Sequence, residues 1–218
     1  MCGIVGFTKK ARVPEPGRIR QAVESLAHRG PDRQAVFETS SISLGAARLK
    51  IIDLESGDQP MSTGGAVIVF NGEIYNHAEL RAELEQLGHS FESRTDTETV
   101  LRAFLQWDIG CLSRLRGMFA LGLWNESERR LVLARDRMGI KPLYIASRGG
   151  DIYFGSELKT IFIHPEIDRL LDPAALDCWL SLNYVPCPMT LVQGIEKLRP
   201  GHWLEWRNGK VRSEAYWQ

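Results

Sequence analysis

Cys2 is the first residue that could do chemistry, because of where it stands in the opening run MCGIVGF at 1–7. Once Met1 is removed, Cys2 carries both a thiol and the free α-amino group of the chain. A thiol with a pKa of ~8.5 is only a few per cent thiolate near neutrality, and an α-amino group of ~7.7–8.0 titrates close by. Held against the thiol, directly or through a water, the amine can take the thiol proton and later return it to a leaving amine. No separate histidine is needed, but loss of Met1 becomes obligatory, since an amide nitrogen has no usable lone pair. The plain alternative is a small residue beside a start codon. Asn71-Gly72, at the end of the apolar run Ala66–Phe70, is the second such place. It offers a side-chain amide and an unencumbered backbone N–H, the donor pair an oxyanion needs. It is equally a strong turn signal, and its spacing alone favours the turn.

These residues need elements to hold them. A chain end is usually loose, but the apolar run after Cys2 predicts a buried strand that would tie this one down. Ile19, Ala22, Val23 and Leu26 share one helical face, which Gly30 and Pro31 bring to a stop. The pattern from Ala35 to Asp53 is β-like. Gly57 to Gly65 reads as a polar loop, and Ala66–Phe70 as a buried strand turning at Asn71-Gly72. Two helices follow. One is capped by Asn76 with Glu79, carries the stripe Leu80, Leu84, Leu87 and ends at Gly88. The other opens with the capping box Thr95-x-x-Glu98. A short amphipathic turn around Leu112 and Leu115 precedes strands at 118–124, 131–134, 143–146 and 152–154. Helices are expected at 157–163 and from Asp172-Pro173 to about Leu182, and a last hairpin around Asn208-Gly209. Runs of strands and runs of helices without βαβ alternation point to an α+β fold of mainly antiparallel sheets with the helices outside.

Composition narrows the partners. The 218 residues suit one large domain or two small ones, and 27 Lys+Arg balance 27 Asp+Glu. Such neutrality gives no field favouring nucleic acid or an anionic membrane. No apolar run reaches 18 residues, and the N-terminus lacks a signal peptide's pattern, so the expected compartment is cytoplasmic. Cys2, Cys111, Cys178 and Cys187 form no C-x-x-C, and the five histidines are scattered, which argues against a metal site. Cys111, Cys178 and Cys187 are expected as small buried apolar groups. There is no Walker A or G-x-G-x-x-G motif, and Ser147–Asp151 reads as a hairpin connection.

MCGIVGF at 1–7 continues with HRGPD at 28–32, ARLKIIDLESGDQPM at 47–61, NGEIYNHAELRAEL at 71–84 and TDTE at 95–98. RGMFALGLW at 116–124, RDRMGIKPLY at 135–144, FGSELKTIFIHPEI at 154–167, NYVPCP at 183–188 and IEKLRPGHWLEW at 195–206 complete the series. In this order the motifs resemble the glutaminase domain of class II glutamine amidotransferases, which are N-terminal nucleophile hydrolases. Among these they are most similar to glutamine-hydrolysing asparagine synthetases. The resemblance spans the chain as one domain, residues 1–218, and implies a four-layer αββα sandwich of two mainly antiparallel sheets.

The resemblance also implies roles. Cys2 is the nucleophile, and Asn71 and Gly72 form the oxyanion hole. Arg48 grips the substrate α-carboxylate, Asp96 with Glu73 lies near the α-ammonium end, and the backbone of Leu49, Lys50, Ile51 and Ile52 lines the pocket. A free amino acid is a zwitterion, so one cation and one anion at a fixed separation suit L-glutamine, with Arg able to bind a carboxylate in a bidentate way. His28, Arg29, Asp32, Arg135, Asp136 and Lys141 are expected to be structural or to line an ammonia route. Glutamine hydrolysis needs no cofactor. ATP and Mg2+ are expected only for the ATP-dependent synthetase domain, whose Ser-Gly-Gly-x-Asp-Ser loop is not in this sequence. That domain would act in cis or in trans, and the resemblance leaves room for a homodimer. The alternatives are a free-standing amidotransferase subunit feeding another acceptor enzyme, or a non-catalytic regulatory module that keeps Met1.

Overall fold

The computed structural model describes residues 2–9, 17–50, 53 and 56–218. The first strand, β1 (Gly3–Thr8), is buried along its whole length. It pairs antiparallel with β3 (Ile42–Arg48) on one side and β9 (Asp151–Gly155) on the other. Adding β2 (Arg33–Glu38), β8 (Tyr144–Arg148) and β10 (Ile195–Lys197) gives a sheet in the order β10-β8-β9-β1-β3-β2. The second sheet combines β4 (Met61–Thr63), β5 (Ala66–Ile74), β6 (Gly117–Asn125) and β7 (Arg130–Arg135) with β11 (His202–Arg207) and β12 (Lys210–Ala215). Its order is β12-β11-β7-β6-β5-β4. Every ladder in both sheets is antiparallel.

Strand alternation sorts the side chains into three interfaces. Ile4, Leu44 and Ala46 of the first sheet meet Val67, Val69, Trp124, Leu131 and Leu133 of the second. On the outer face of the first sheet, Val5 and Phe7 pack with Ile19, Ala22, Val23 and Leu26, from or just after helix α1 (Arg18–Glu24), and with Ile161 of α5 (Leu158–Ile161). On the outer face of the second, Ala66, Ile68 and Phe70 pack against α2 (His77–Gln86), α3 (Asp96–Trp107) and α4 (Cys111–Arg114). The architecture is therefore the four-layer αββα sandwich. It also explains why 66–70 is an unbroken apolar run: that strand is buried on both faces. A sixth helix, α6 (Pro173–Leu182), buries only Ala175.

Several local expectations hold for their physical reasons. The Thr95 hydroxyl accepts from the Glu98 N–H, and the Asp172 carboxylate accepts from the N–H groups of Ala174 and Ala175. Asn208 and Gly209 both take positive φ in the β11–β12 turn, and Gly149 and Gly150 do so between β8 and β9.

Others are corrected. Asn71-Gly72 is not a turn: β5 runs through it to Ile74, with Asn71 opposite Ala120 and Gly72 opposite Phe119. A full ladder on β6 outweighs the local preference of the pair. The stretch 57–65 contains the edge strand β4, and β10 has too short an apolar pattern to be read in advance. Asn76 precedes α2 without capping it, since its side chain bonds Arg114 and Arg116 of a different segment. Leu87 is exposed at the end of that helix. Cys111 is buried as expected, but Cys178 is half-buried and Cys187 exposed, because α6 and the segment after it lie at the surface. No helix among the described residues is long and apolar enough to cross a membrane.

The outer interface of the first sheet also encloses a histidine. The His164 ring lies 4.3 Å from the Phe7 ring and 4.6 Å from that of Tyr153, centroid to centroid. Burial in this apolar setting lowers its pKa to about 4, with nearby Glu166 opposing and Arg18 assisting. The unfolded chain therefore binds a proton at this residue near pH 6.5 that the folded chain refuses until about pH 4. Stability from this residue is complete above pH 6.5 and is lost as pH falls through that window, by on the order of 3 kcal/mol at most. His164→Phe is expected to flatten this part of the profile. Urea midpoints at pH 7.5, 5.5 and 4 for both proteins check it; parallel slopes would refute it.

Candidate active site

Three segments converge at one end of the facing sheets. The β1–β3 ladder begins at Gly3 opposite Ala47, which sets Cys2 beside the end of β3, and the Cys2 thiol donates to the Leu49 carbonyl at 3.8 Å. From the second sheet, β5 contributes Asn71, Gly72 and Glu73. From the helical layer, the first turn of α3 contributes Asp96. Cys2, Arg48, Leu49, Asn71, Gly72, Glu73 and Asp96 all line one cavity of about 110 Å³. Thus seven of the residues singled out in the sequence come together. Lys50 does not line the cavity; its N–H is taken by the Asp32 carboxylate at 2.8 Å. Ile51 and Ile52, like Met1, lie outside the described residues.

Arg48 and Asp96 are each held by nameable contacts. The Arg48 side chain is 4% exposed and forms an ion pair with Asp58 at 3.1 Å. It also donates to the Asp53 carbonyl. Gly57 lies so close that a Cβ there would stand 2.3 Å from an Arg48 nitrogen. Asp96 accepts from the Ile74 N–H at 3.0 Å, tying α3 to the end of β5. Burial raises the Asp96 carboxyl above its ordinary pKa, opposed by the Ile74 hydrogen bond and the neighbouring His77. A cation arriving beside it would favour its charged form. Asn71 is 1% exposed and its Nδ2 has no hydrogen-bond partner. A buried donor left unpaired costs ~1–3 kcal/mol.

Further residues line the cavity, most of them not signalled by the sequence. Gln59 is buried; it accepts from the Phe70 N–H at 2.7 Å and donates to the Thr97 hydroxyl at 3.3 Å, linking β5 to α3. Met118, Thr97 and Lys141 also reach the cavity. Of these, Lys141 is the one the sequence marks, as structural or lining an ammonia route; a lone Gln in a polar stretch carries no local signal. A larger cavity of about 590 Å³, lined by residues such as Ile145, Lys197, His202 and Val211, holds none of the candidate residues. Among the described residues no group of three or more His, Cys, Asp or Glu side chains is placed to hold a metal ion.

Two stacked antiparallel six-stranded sheets flanked by helices, with a cysteine at the head of an inner strand, give the fold of an N-terminal nucleophile type domain. Comparison gives the family: the pattern of the glutamine amidotransferase domain matches residues 1–217, and the chain belongs to that family, class II. It is related to glutamine-hydrolysing asparagine synthetases. It is 36% identical over 224 residues to asparagine synthetase 3 of Bacillus subtilis, covering all of this chain and 36% of that protein. It is 38% identical over 225 residues to asparagine synthetase 1 of the same organism, covering all of this chain and 35% of that protein. The chain thus spans about a third of the length of these relatives. In fold it matches the allosteric regulatory enzyme of purine biosynthesis with a TM-score of 0.69, at 19% identity, over 98% of this chain and 49% of the other.

Gly72 tests the geometry directly. A Cβ there would stand 2.3 Å from the Met118 carbonyl oxygen, a backbone atom that cannot swing aside. Gly72→Ala is expected to force β5 from β6 at the cavity and to destabilise the fold by ~1–3 kcal/mol. A chemical-denaturation midpoint unchanged from the parent would contradict this register.

Proposed function

We propose that this chain hydrolyses glutamine. Cys2, freed of Met1, attacks the side-chain amide carbon, and its α-amino group takes the thiol proton and delivers it to the departing ammonia. The tetrahedral oxyanion is received by the Asn71 side-chain N–H and the Gly72 backbone N–H. A thioester on Cys2 is then hydrolysed to glutamate. Arg48 holds the substrate α-carboxylate, and Asp96 with Glu73 faces its α-ammonium group. The observation that carries this reading is the buried, unpartnered Asn71 Nδ2 in the same cavity as the Cys2 thiol. It is a donor desolvated in advance, ready for charge that develops only during reaction.

The ammonia would pass to an ATP-dependent synthetase domain, in cis or in trans, that amidates aspartate. The length of the relatives and their printed names support that context. ATP and Mg2+ would belong to that domain, and the expected compartment is the cytoplasm.

Cys2→Ala should abolish ammonia release from glutamine while leaving the melting temperature within a few degrees; substantial turnover in that variant would falsify the mechanism. The intact mass of the active parent should show Met1 lost. Asn71→Ala should lower kcat by ~10²–10³ with a small change in KM. Arg48→Ala should act chiefly on KM. Steady-state kinetics separates the two, and an Arg48→Ala enzyme with the parental KM removes the carboxylate role.

A further inference from the structure

We propose that Glu157 is a positioning residue for Cys2, acting through Arg29; the inference rests on the reading of Cys2 as nucleophile. The Cys2 carbonyl lies ahead of the first ladder pair of β1, Gly3 with Ala47. It accepts from Arg29 Nε at 3.2 Å. The Arg29 guanidinium in turn donates through Nη1 to Glu157 Oε1 at 3.2 Å. Its side chain is 14% exposed, and its Nη2 is buried with no hydrogen-bond partner. A largely buried cation in that condition needs a nearby counter-charge. Glu157 supplies it, and without that carboxylate the guanidinium gains by turning toward water and leaving the Cys2 carbonyl.

The backbone is built to bring these groups together. A Cβ on Gly30 would stand 2.1 Å from the Ala47 carbonyl oxygen, so the turn after α1 lies flat on β3 and presents Arg29 to the head of β1. From the other side, the Ser156 N–H donates to the Ile4 carbonyl at 2.9 Å, and the Ser156 hydroxyl accepts from the Ile4 N–H at 3.0 Å. That clasp sets the next residue, Glu157, beside Arg29. His28 and Lys159 complete the carboxylate's shell, at 2.8 Å and 3.2 Å. Neither of these two is seen to reach Cys2. Among the described residues it is the Arg29 limb that connects the cluster to the nucleophile's own backbone, which distinguishes it from an ordinary surface ion pair worth ~0–1 kcal/mol.

The test uses the full chain with Glu157→Ala, Glu157→Gln, Arg29→Lys and the double variant Arg29→Lys/Glu157→Ala. Glu157→Ala is expected to lower kcat for glutamine about 10- to 100-fold with KM within twofold, as slight misplacement of a reacting group does. Glu157→Gln, which keeps an acceptor oxygen, should recover part of the loss. Arg29→Lys, lacking the Nε donor, should resemble Glu157→Ala, and the double variant should be no worse than Arg29→Lys, because the two act in series. Losses that multiply, a fall confined to KM, or parental kcat in Glu157→Ala would each overturn the proposal. Hydrogen exchange gives a readout independent of turnover: Glu157→Ala should lower protection in the segment 2–7 and leave β5 unchanged. Unaltered protection of 2–7, or loss of protection throughout the chain, refutes the link to Cys2. A parent that exchanges as expected but releases no ammonia would instead defeat the glutaminase reading alone.

Discussion

The structure depends on the burial of a strand that starts within three residues of the chain's beginning. β1 lies inside its sheet with neighbours on both edges, and all six of its residues are out of solvent. Ordering a terminal residue costs ~1–2 kcal/mol of backbone entropy. Burying side chains such as Ile4, Val5 and Phe7 returns ~1.5–3 kcal/mol each. A segment that would fray in most proteins is therefore fixed by the core, and Cys2 inherits that order through the adjoining peptide. The other half of the cavity stands on β5, in the second sheet. The placement of Asn71 relative to the thiol is thus set by how the two sheets pack through Ile4, Leu44, Val69 and their neighbours.

The electrostatics of the cavity follow the same logic. Arg48 is nearly buried, yet Asp58, the partner that balances it, lies toward solvent, and the Asp53 carbonyl adds a neutral acceptor. Asp96 is held by the Ile74 backbone N–H at the start of α3. There the helix N-terminus favours its negative charge while burial opposes it. A cation and an anion are therefore maintained in one small cavity by ties to different elements.

How far the chain could be read in advance depended on whether the deciding interaction was local. Helix caps at Thr95 and Asp172, the turn at Asn208-Gly209 and the alternation within β1 involve residues a few positions apart, and their patterns were legible. Propensity alone misplaces Asn71-Gly72, because its conformation is decided by Ala120 and Phe119, nearly fifty residues on. The family resemblance, carried by the whole pair with its neighbours, still assigned the pair to the site. Gln59 carries no local signal for the same reason: its partners Phe70 and Thr97 belong to two other elements. Cys178 and Cys187 were expected in the core on their chemistry, but α6 lies at the surface with almost nothing packed on it.

Gly72 and Asn71 are adjacent, yet they bear on function differently. Gly72 is explained twice. The Met118 carbonyl leaves no room for a Cβ, and a bare backbone N–H suits an oxyanion. Since the sheet alone requires glycine there, its identity cannot separate architecture from chemistry. Asn71 has no such excuse. Its ladder hydrogen bonds with β6 would be made by any residue, and an apolar side chain of similar volume would fill the space without stranding an Nδ2 donor away from water. The fold is less stable for having an amide at this position, by the cost of an unmade hydrogen bond. Residues that break the rule of satisfied buried polar groups are expected where function demands it. Among the described residues Asn71 breaks it, as do Arg29, His77, Arg102, Arg130 and Arg137, but of these Asn71 is the one that lines the cavity with the Cys2 thiol.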